Sequence, residues 1–138
     1  MTDEELFNQY LEAAKEDDAL SQFNLGNCFA KGKGCAQDDS MALYWYERSA
    51  EQGSLYGILY AAEYYENGRG CTKSLAKAAD YYLKAAESGN ANACYKLGIM
   101  YKNGLGLPKD RRKAKEYLKK ASSKGIVKAA AELKGMWF

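Results

Sequence analysis

Histidine is absent from the 138-residue sequence, proline occurs once, and the four cysteines, Cys28, Cys35, Cys71 and Cys94, form no C-x-x-C pair. Each absence removes a class of chemistry. Without histidine, the commonest general base, the commonest metal ligand and the usual partner of a nucleophilic serine or cysteine are gone. Without a C-x-x-C pair, neither a zinc knuckle nor a thioredoxin-type site is indicated, so no metal and no cofactor are expected. The bland use of such thiols is as reduced, partly buried small hydrophobes. No apolar run approaches the roughly 20 residues of a membrane helix. The opening MTDEELFNQY is acidic where a signal peptide is basic and then apolar. A cytoplasmic chain with no membrane role is expected.

What is present suffices for one domain: 47% of the residues are hydrophobic and 28% charged. The net charge of +2 says little, but its distribution is uneven. Residues 1–18 hold seven acidic residues and one lysine, whereas residues 101–134 hold eleven lysines or arginines and three acidic residues.

The stretch KGKGC at 31–35 has the look of a phosphate loop or half a metal site until its repeats are seen. It recurs as NGRGC at 67–71 and NGLGL at 103–107, each copy 36 residues after the last. The same spacing links Gly53, Gly89 and Gly125, and it links Phe29, Tyr65, Tyr101 and Trp137. The loop is therefore a repeat element. Each unit has helical apolar spacing twice over, as in Cys94, Leu97, Gly98 and Tyr101, followed by Ala114, Tyr117, Leu118 and Ala121. Between them the first glycine of the loop can end a helix in a left-handed conformation and the second can reverse the chain. Asp38, Ser74 and Asp110 share a register position suited to capping the second helix, which Gly53, Gly89 and Gly125 then close.

The spacing predicts helices at 19–31 and 39–52, 55–67 and 75–88, and 91–103 and 111–124. Residues 3–16 match a second helix and 127–137 a first helix. A single domain over 1–138 is expected, with a capping helix at 3–16, repeats at 19–54, 55–90 and 91–126, and a terminal helix at 127–137. Three full repeats flanked by half repeats suit a solenoid that shields its end faces.

The motifs L-G-x-x-[FY] in LGNCF and LGIMY, then G-x-G, then DDSMALYWYERSA, SLAKAADYYLKAA and DRRKAKEYLKKAS, resemble the Sel-one-like repeat family, a relative of the tetratricopeptide repeats. The resemblance covers nearly the whole chain. The second copy departs from it with Ala61-Ala62 in place of Leu-Gly. What it implies is an all-α, right-handed α/α superhelical solenoid of antiparallel helix pairs that serves as an adaptor, scaffold or regulator and has no enzymatic activity. In the family's cysteine-rich secreted branch, a cysteine ending the second helix pairs with one eight residues on. Here Cys94 matches the later member but Ala86 stands at the earlier position, so that disulfide cannot form. Cys35 and Cys71 occupy the position of Leu107, which suits a hydrophobic role under the turn. A bridge from Cys28 to Cys35 stays open, and a reducing compartment is favoured.

Three sharper readings compete with a binding role. Gly26 and Gly32-Lys33 miss the G-x-x-x-x-G-K spacing of a P-loop by one residue, and their flanks are helical. Ser74-Leu75-Ala76-Lys77 matches the S-x-x-K nucleophile motif, and the secreted branch has been associated with penicillin binding. The alternative function is thus β-lactam binding or hydrolysis through Ser74 and Lys77. Against it, Ser74 holds the cap position of Asp38 and Asp110, and no S-D-N or K-T-G follows. Lys113, Lys115, Lys119, Lys120 and Lys124 are interleaved with the buried positions of one helix and read as its solvated face. No nucleic-acid partner is expected, and an anionic protein surface suits them better.

The face of each first helix opposite its core residues is concave in tetratricopeptide-like solenoids, so the resemblance makes it the expected groove for a protein or peptide segment. It carries Leu20, Phe23, Asn24 and Asn27, then Tyr56, Leu59, Tyr60 and Glu63, then Asn92, Tyr95, Lys96 and Ile99. The partner-binding residues are expected to be Leu20, Phe23, Tyr56, Leu59, Tyr60, Tyr95 and Ile99, since this face is too apolar to be merely solvated. The competing use of Tyr56, Leu59 and Tyr60 is packing against each other or against neighbouring helices. The acidic first half repeat and the basic last one, ending KGMWF, also allow a weak head-to-tail self-association in which one chain completes another's repeat.

Overall fold

The computed structural model describes residues 1–136, and these form eight helices with no strand: α1 Asp3–Lys15, α2 Ala19–Lys31, α3 Asp39–Glu51, α4 Leu55–Asn67, α5 Leu75–Glu87, α6 Ala91–Asn103, α7 Arg111–Ser123 and α8 Val127–Lys134. The chain divides into two compact units, Met1–Lys73 and Ser74–Phe138.

Local chemistry sets each helix. The second-type helices α3, α5 and α7 begin where the side chains of Asp38, Ser74 and Asp110 accept hydrogen bonds from the backbone N–H of Met41, Lys77 and Lys113. The first-type helices have caps at one register position as well: Asp18, Ser54 and Asn90 accept from the N–H of Ser21, Gly57 and Ala93. Each such cap satisfies one of the N–H groups that a helix start leaves without an intrahelical partner. Gly32, Gly68 and Gly104 end the first-type helices in the left-handed region, at φ of 67°, 67° and 69°. Asp17, at φ 62°, holds the register position of Gly53, Gly89 and Gly125. Aspartate is among the few non-glycine residues that tolerate this conformation, and its carboxylate accepts from Arg48 at 3.1 Å.

The second loop glycines make the closest approaches in the fold. A Cβ on Gly34 would lie 2.3 Å from the carbonyl oxygen of Asp3, one on Gly70 2.4 Å from that of Asp39, and one on Gly106 2.3 Å from that of Leu75. Each turn therefore rests on the first turn of the preceding second-type helix.

In the first unit α1 packs on α2, α2 on α3 and α3 on α4. Ala14, Leu25 and Trp45 form a core cluster supported by Phe7, Tyr10, Leu11 and Phe29. Gly26 lies against the fully buried Tyr46, where a Cβ would come within 2.7 Å of the ring. The buried Gln22 is satisfied on both sides: its amide donates to the Ala14 carbonyl and its oxygen accepts from Gln52. In the second unit α5 packs on α6, α6 on α7 and α7 on α8. Gly98 there faces Leu118 as Gly26 faces Tyr46.

Several helices end earlier than the spacing predicts. α1, α3, α5 and α7 stop at 15, 51, 87 and 123 rather than 16, 52, 88 and 124, because the next residue already turns as a C-cap. α8 ends at Lys134, before Gly135, which is costly to hold in a helix. Trp137, expected to end that helix, lies outside the described residues.

Candidate functional site

In the first unit the expected partner-binding residues come from α2 and α4. Leu20 and Tyr56 are 63% and 60% exposed and Tyr60 37%, whereas Phe23 and Leu59 are half-buried. Phe23 is the hub. Its ring lies 5.6 Å from Tyr56, 5.1 Å from Tyr60 in an edge-on contact, and 5.7 Å from Tyr46. Tyr46 in turn meets Tyr60 and Tyr64, each at 5.2 Å. These rings pack on one another, the competing use foreseen for them, while Tyr56 still presents most of its surface to solvent.

The rings are held from below. The Tyr46 hydroxyl donates to the Asn27 side-chain oxygen at 2.5 Å, and burial raises its pKa well above the ordinary phenol range. Asn24 and Asn27 sit half-buried beside them, with Glu63 exposed one turn along α4. In the second unit, Tyr95, Lys96 and Ile99 are half-buried on α6 and Asn92 is exposed.

Of the other candidates, Ser74 lies at the start of α5, and the cysteines lie on α2, on α6 and in the loops that follow α2 and α4. Ser74 Oγ accepts from the Lys77 N–H at 3.2 Å, as Asp38 accepts from Met41 at 3.1 Å and Asp110 from Lys113 at 3.0 Å. A side chain in that geometry caps the start of a helix. None of the four cysteines forms a disulfide among the described residues. Cys28 and Cys94 are buried, while the half-buried Cys35 and Cys71 direct their sulfurs at the carbonyls of Cys28 and Tyr64, 3.5 and 3.6 Å away. Burial pushes the thiols of Cys28 and Cys35 above their ordinary range. No helix among the described residues is long and apolar enough to cross a membrane.

The first-type helix caps escaped the sequence reading, although Asp18, Ser54 and Asn90 stand 36 residues apart and could have been found by extending the register. The role of Phe23 beneath Tyr56 and Tyr60 left no such trace.

A protein-family model described as Sel1 repeat matches residues 19–54, 56–90 and 91–126. Among solved structures, the chain is similar to c5321, a protective antigen of uropathogenic Escherichia coli strains displaying an SLR fold. The identity is 31% and the TM-score 0.88, over 94% of this chain and 28% of that one. It is similar to a Sel1 repeat protein from Oxalobacter formigenes at 30% identity and a TM-score of 0.79, over 85% and 48% of the two chains. Helicobacter pylori cysteine rich protein B shares the fold, with 24% identity and a TM-score of 0.67, over 90% and 89%. The chain thus spans less than half the length of the first two. No curated protein matches it. Three matched repeats and these neighbours agree with the expected all-α solenoid of antiparallel helix pairs.

Proposed function

The chain belongs to the Sel1 repeat family, typically protein-interaction modules, and we propose that it is a non-enzymatic adaptor or scaffold that binds a segment of another protein on the face of its first-type helices. The observation that carries this reading is the aromatic patch of the first unit. Leu20, Tyr56 and Tyr60 stay open to solvent above a ring cluster organised by Phe23. Rings already fixed by packing lose little entropy when a partner covers them, and aromatic residues dominate the energetics of protein interfaces. In the same reading Tyr95 and Ile99 are the contact residues that α6 contributes in the second unit.

We place the protein in the cytoplasm on the same basis of proposal. Buried and half-buried thiols joined by no disulfide suit a reducing compartment.

The test is affinity capture from the source organism's lysate with the native chain and a Tyr56→Ala, Tyr60→Ala, Tyr95→Ala variant whose helicity is checked by circular dichroism. Partners lost from the folded variant support the reading. Equal recovery by both chains moves the interaction off this face.

A further inference from the structure

The two compact units differ sharply in charge. Residues 1–73 carry six lysines and arginines against 13 acidic residues, a formal −7, whereas residues 74–138 carry 14 against five, a formal +9. The excess of the second unit is concentrated on α7, whose outward face presents Arg112, Lys115, Lys119 and Lys120 while Ala114, Leu118 and Ala121 face the core.

That basic face is also shaped. Between α7 and the end of α8 lies a cavity of about 120 Å³ lined by Lys115, Lys119, Leu133 and Met136. It adjoins a wider depression lined by Arg111, Arg112, Lys115, Glu116 and Lys119. The walls are tied together, since the Arg111 guanidinium donates to the backbone carbonyl of Met136. Among the described residues, the only acidic side chain lining either hollow is Glu116, which is paired with Arg112 at 3.7 Å. None of them forms an ion pair with Lys115 or Lys119.

We infer that this groove on α7 and α8 is a second interaction surface, which takes an acidic protein segment carrying one aliphatic side chain. The carboxylates of that segment lie against Lys115, Lys119 and the arginines, and its aliphatic side chain enters between Leu133 and Met136. Charge complementarity selects the sign of the partner, and the apolar floor selects its kind. A charged rim around an apolar centre is the usual anatomy of a protein-binding site. Nucleic acid is a poorer match. Single strands need open aromatic platforms, yet Tyr101 and Tyr117 stack on each other at 5.8 Å with planes 6° apart and are covered by Lys113 and Lys120. The surface lies between α7 and the end of α8 and shares no residue with the first-helix face proposed above, so an adaptor of this design has a separate place for a second partner.

The test is fluorescence anisotropy on the full chain with a labelled short peptide of glutamates around one leucine. Controls are the same peptide with alanine for leucine, its lysine counterpart, and a single-stranded oligonucleotide of equal charge. The leucine peptide is expected to bind best and to weaken about tenfold between roughly 50 and 300 mM salt. Lys115→Glu with Lys119→Glu is expected to weaken it about tenfold or more, and Lys115→Gln with Lys119→Gln by less, both variants keeping native helicity. Tyr56→Ala with Tyr60→Ala is expected to leave it unchanged, which separates this surface from the first-helix face. Equal binding of the alanine peptide, tighter binding of the oligonucleotide, indifference to the lysine substitutions, or no binding at low salt would each overturn the inference. So would a salt-dependent self-association of the chain that competes with the peptide, because the groove's occupant would then be a second copy.

Discussion

Replacing Gly70 by alanine, with Gly53→Ala as its control, tests whether the repeated G-x-G loops exist to let one backbone rest on another. Both glycines lie in the first unit with positive φ, 65° and 85°. A methyl group at Gly53 meets nothing within 4 Å, whereas at Gly70 it would lie 2.4 Å from the Asp39 carbonyl oxygen and 2.7 Å from the Ser40 nitrogen. Backbone atoms cannot rotate aside as a side chain can. Left-handed strain costs about 1–2 kcal/mol, and the stiffer unfolded chain returns about 0.4–1, so Gly53→Ala should cost about 1 kcal/mol. Gly70→Ala carries the same strain plus about 1–3 kcal/mol of overpacking, about 2–4 in all. It also lifts Arg69 away from Asp39, now 2.8 Å apart. Urea denaturation followed by circular dichroism reads the difference directly. Costs equal within about 0.5 kcal/mol would refute the close-approach role and leave the loop glycines with their φ angles alone.

Asp38→Ala and Asp110→Ala should each cost about 1 kcal/mol in the same assay, with Asn replacements close to native. Ser74→Ala should cost a similar amount, and a labelled penicillin should leave no covalent adduct on the native chain; an adduct abolished by Ser74→Ala would make Ser74 a nucleophile instead. Tyr65, whose hydroxyl donates to Glu47 at 3.1 Å, is pushed up to about 12 by burial and then by that carboxylate. The folded state therefore holds this proton more tightly than the unfolded chain does, so the contribution is complete below about pH 10 and is lost as pH rises through about 12. Equilibrium denaturation should show a loss of about 2 kcal/mol over that window, and Tyr65→Phe should flatten it. Thiol labelling of the native protein should reach Cys35 and Cys71 well before the buried Cys28 and Cys94, and equal rates would show that the core opens on the labelling timescale.

The parts of the fold that were legible in the sequence are those written in local chemistry at a constant interval. A cap at Asp38, Ser74 or Asp110 needs only a short oxygen-bearing side chain three residues before the N–H it accepts from, and a left-handed glycine needs only its missing Cβ. What stayed hidden depends on residues far apart in the chain. Gly70 rests on Asp39 and Gly106 on Leu75, so a turn that looked self-contained is held by a helix start 31 residues earlier. The aromatic face was legible as a list of exposed-side positions, but the order within it was not. Helical phase places Phe23, Tyr56 and Tyr60 on one side of their helices, yet only the approach of α4 to α3 puts the Phe23 ring under the other two. That approach depends on Gly57, where a Cβ would lie 2.8 Å from the Ala50 nitrogen.

The same register bears on self-association. Gly26 and Gly98 are the residues on which Tyr46 and Leu118 lie, and a Cβ at Gly98 would come within 2.6 Å of Leu118. Ala62, buried at the equivalent position, shows that a methyl group is accommodated there. The next position in the series is Lys134. A second chain docking its α1 on α8 as α7 docks on α6 would bring Tyr10, the register equivalent of Tyr46, onto that lysine. Four methylenes and a charge would have to leave a contact built for a hydrogen or a methyl, and burying the ammonium there opposes the docking. In-register head-to-tail stacking is therefore expected to be negligible, and light scattering should give the monomer mass at all concentrations that remain soluble. Lys134→Gly would remove the obstacle, so filaments or rings that appear only in that variant would show that Lys134 alone blocks the stacking. Oligomers formed by the native chain, but lost when Tyr10 is changed to Lys, would instead show that Lys134 swings clear and that the ends do meet.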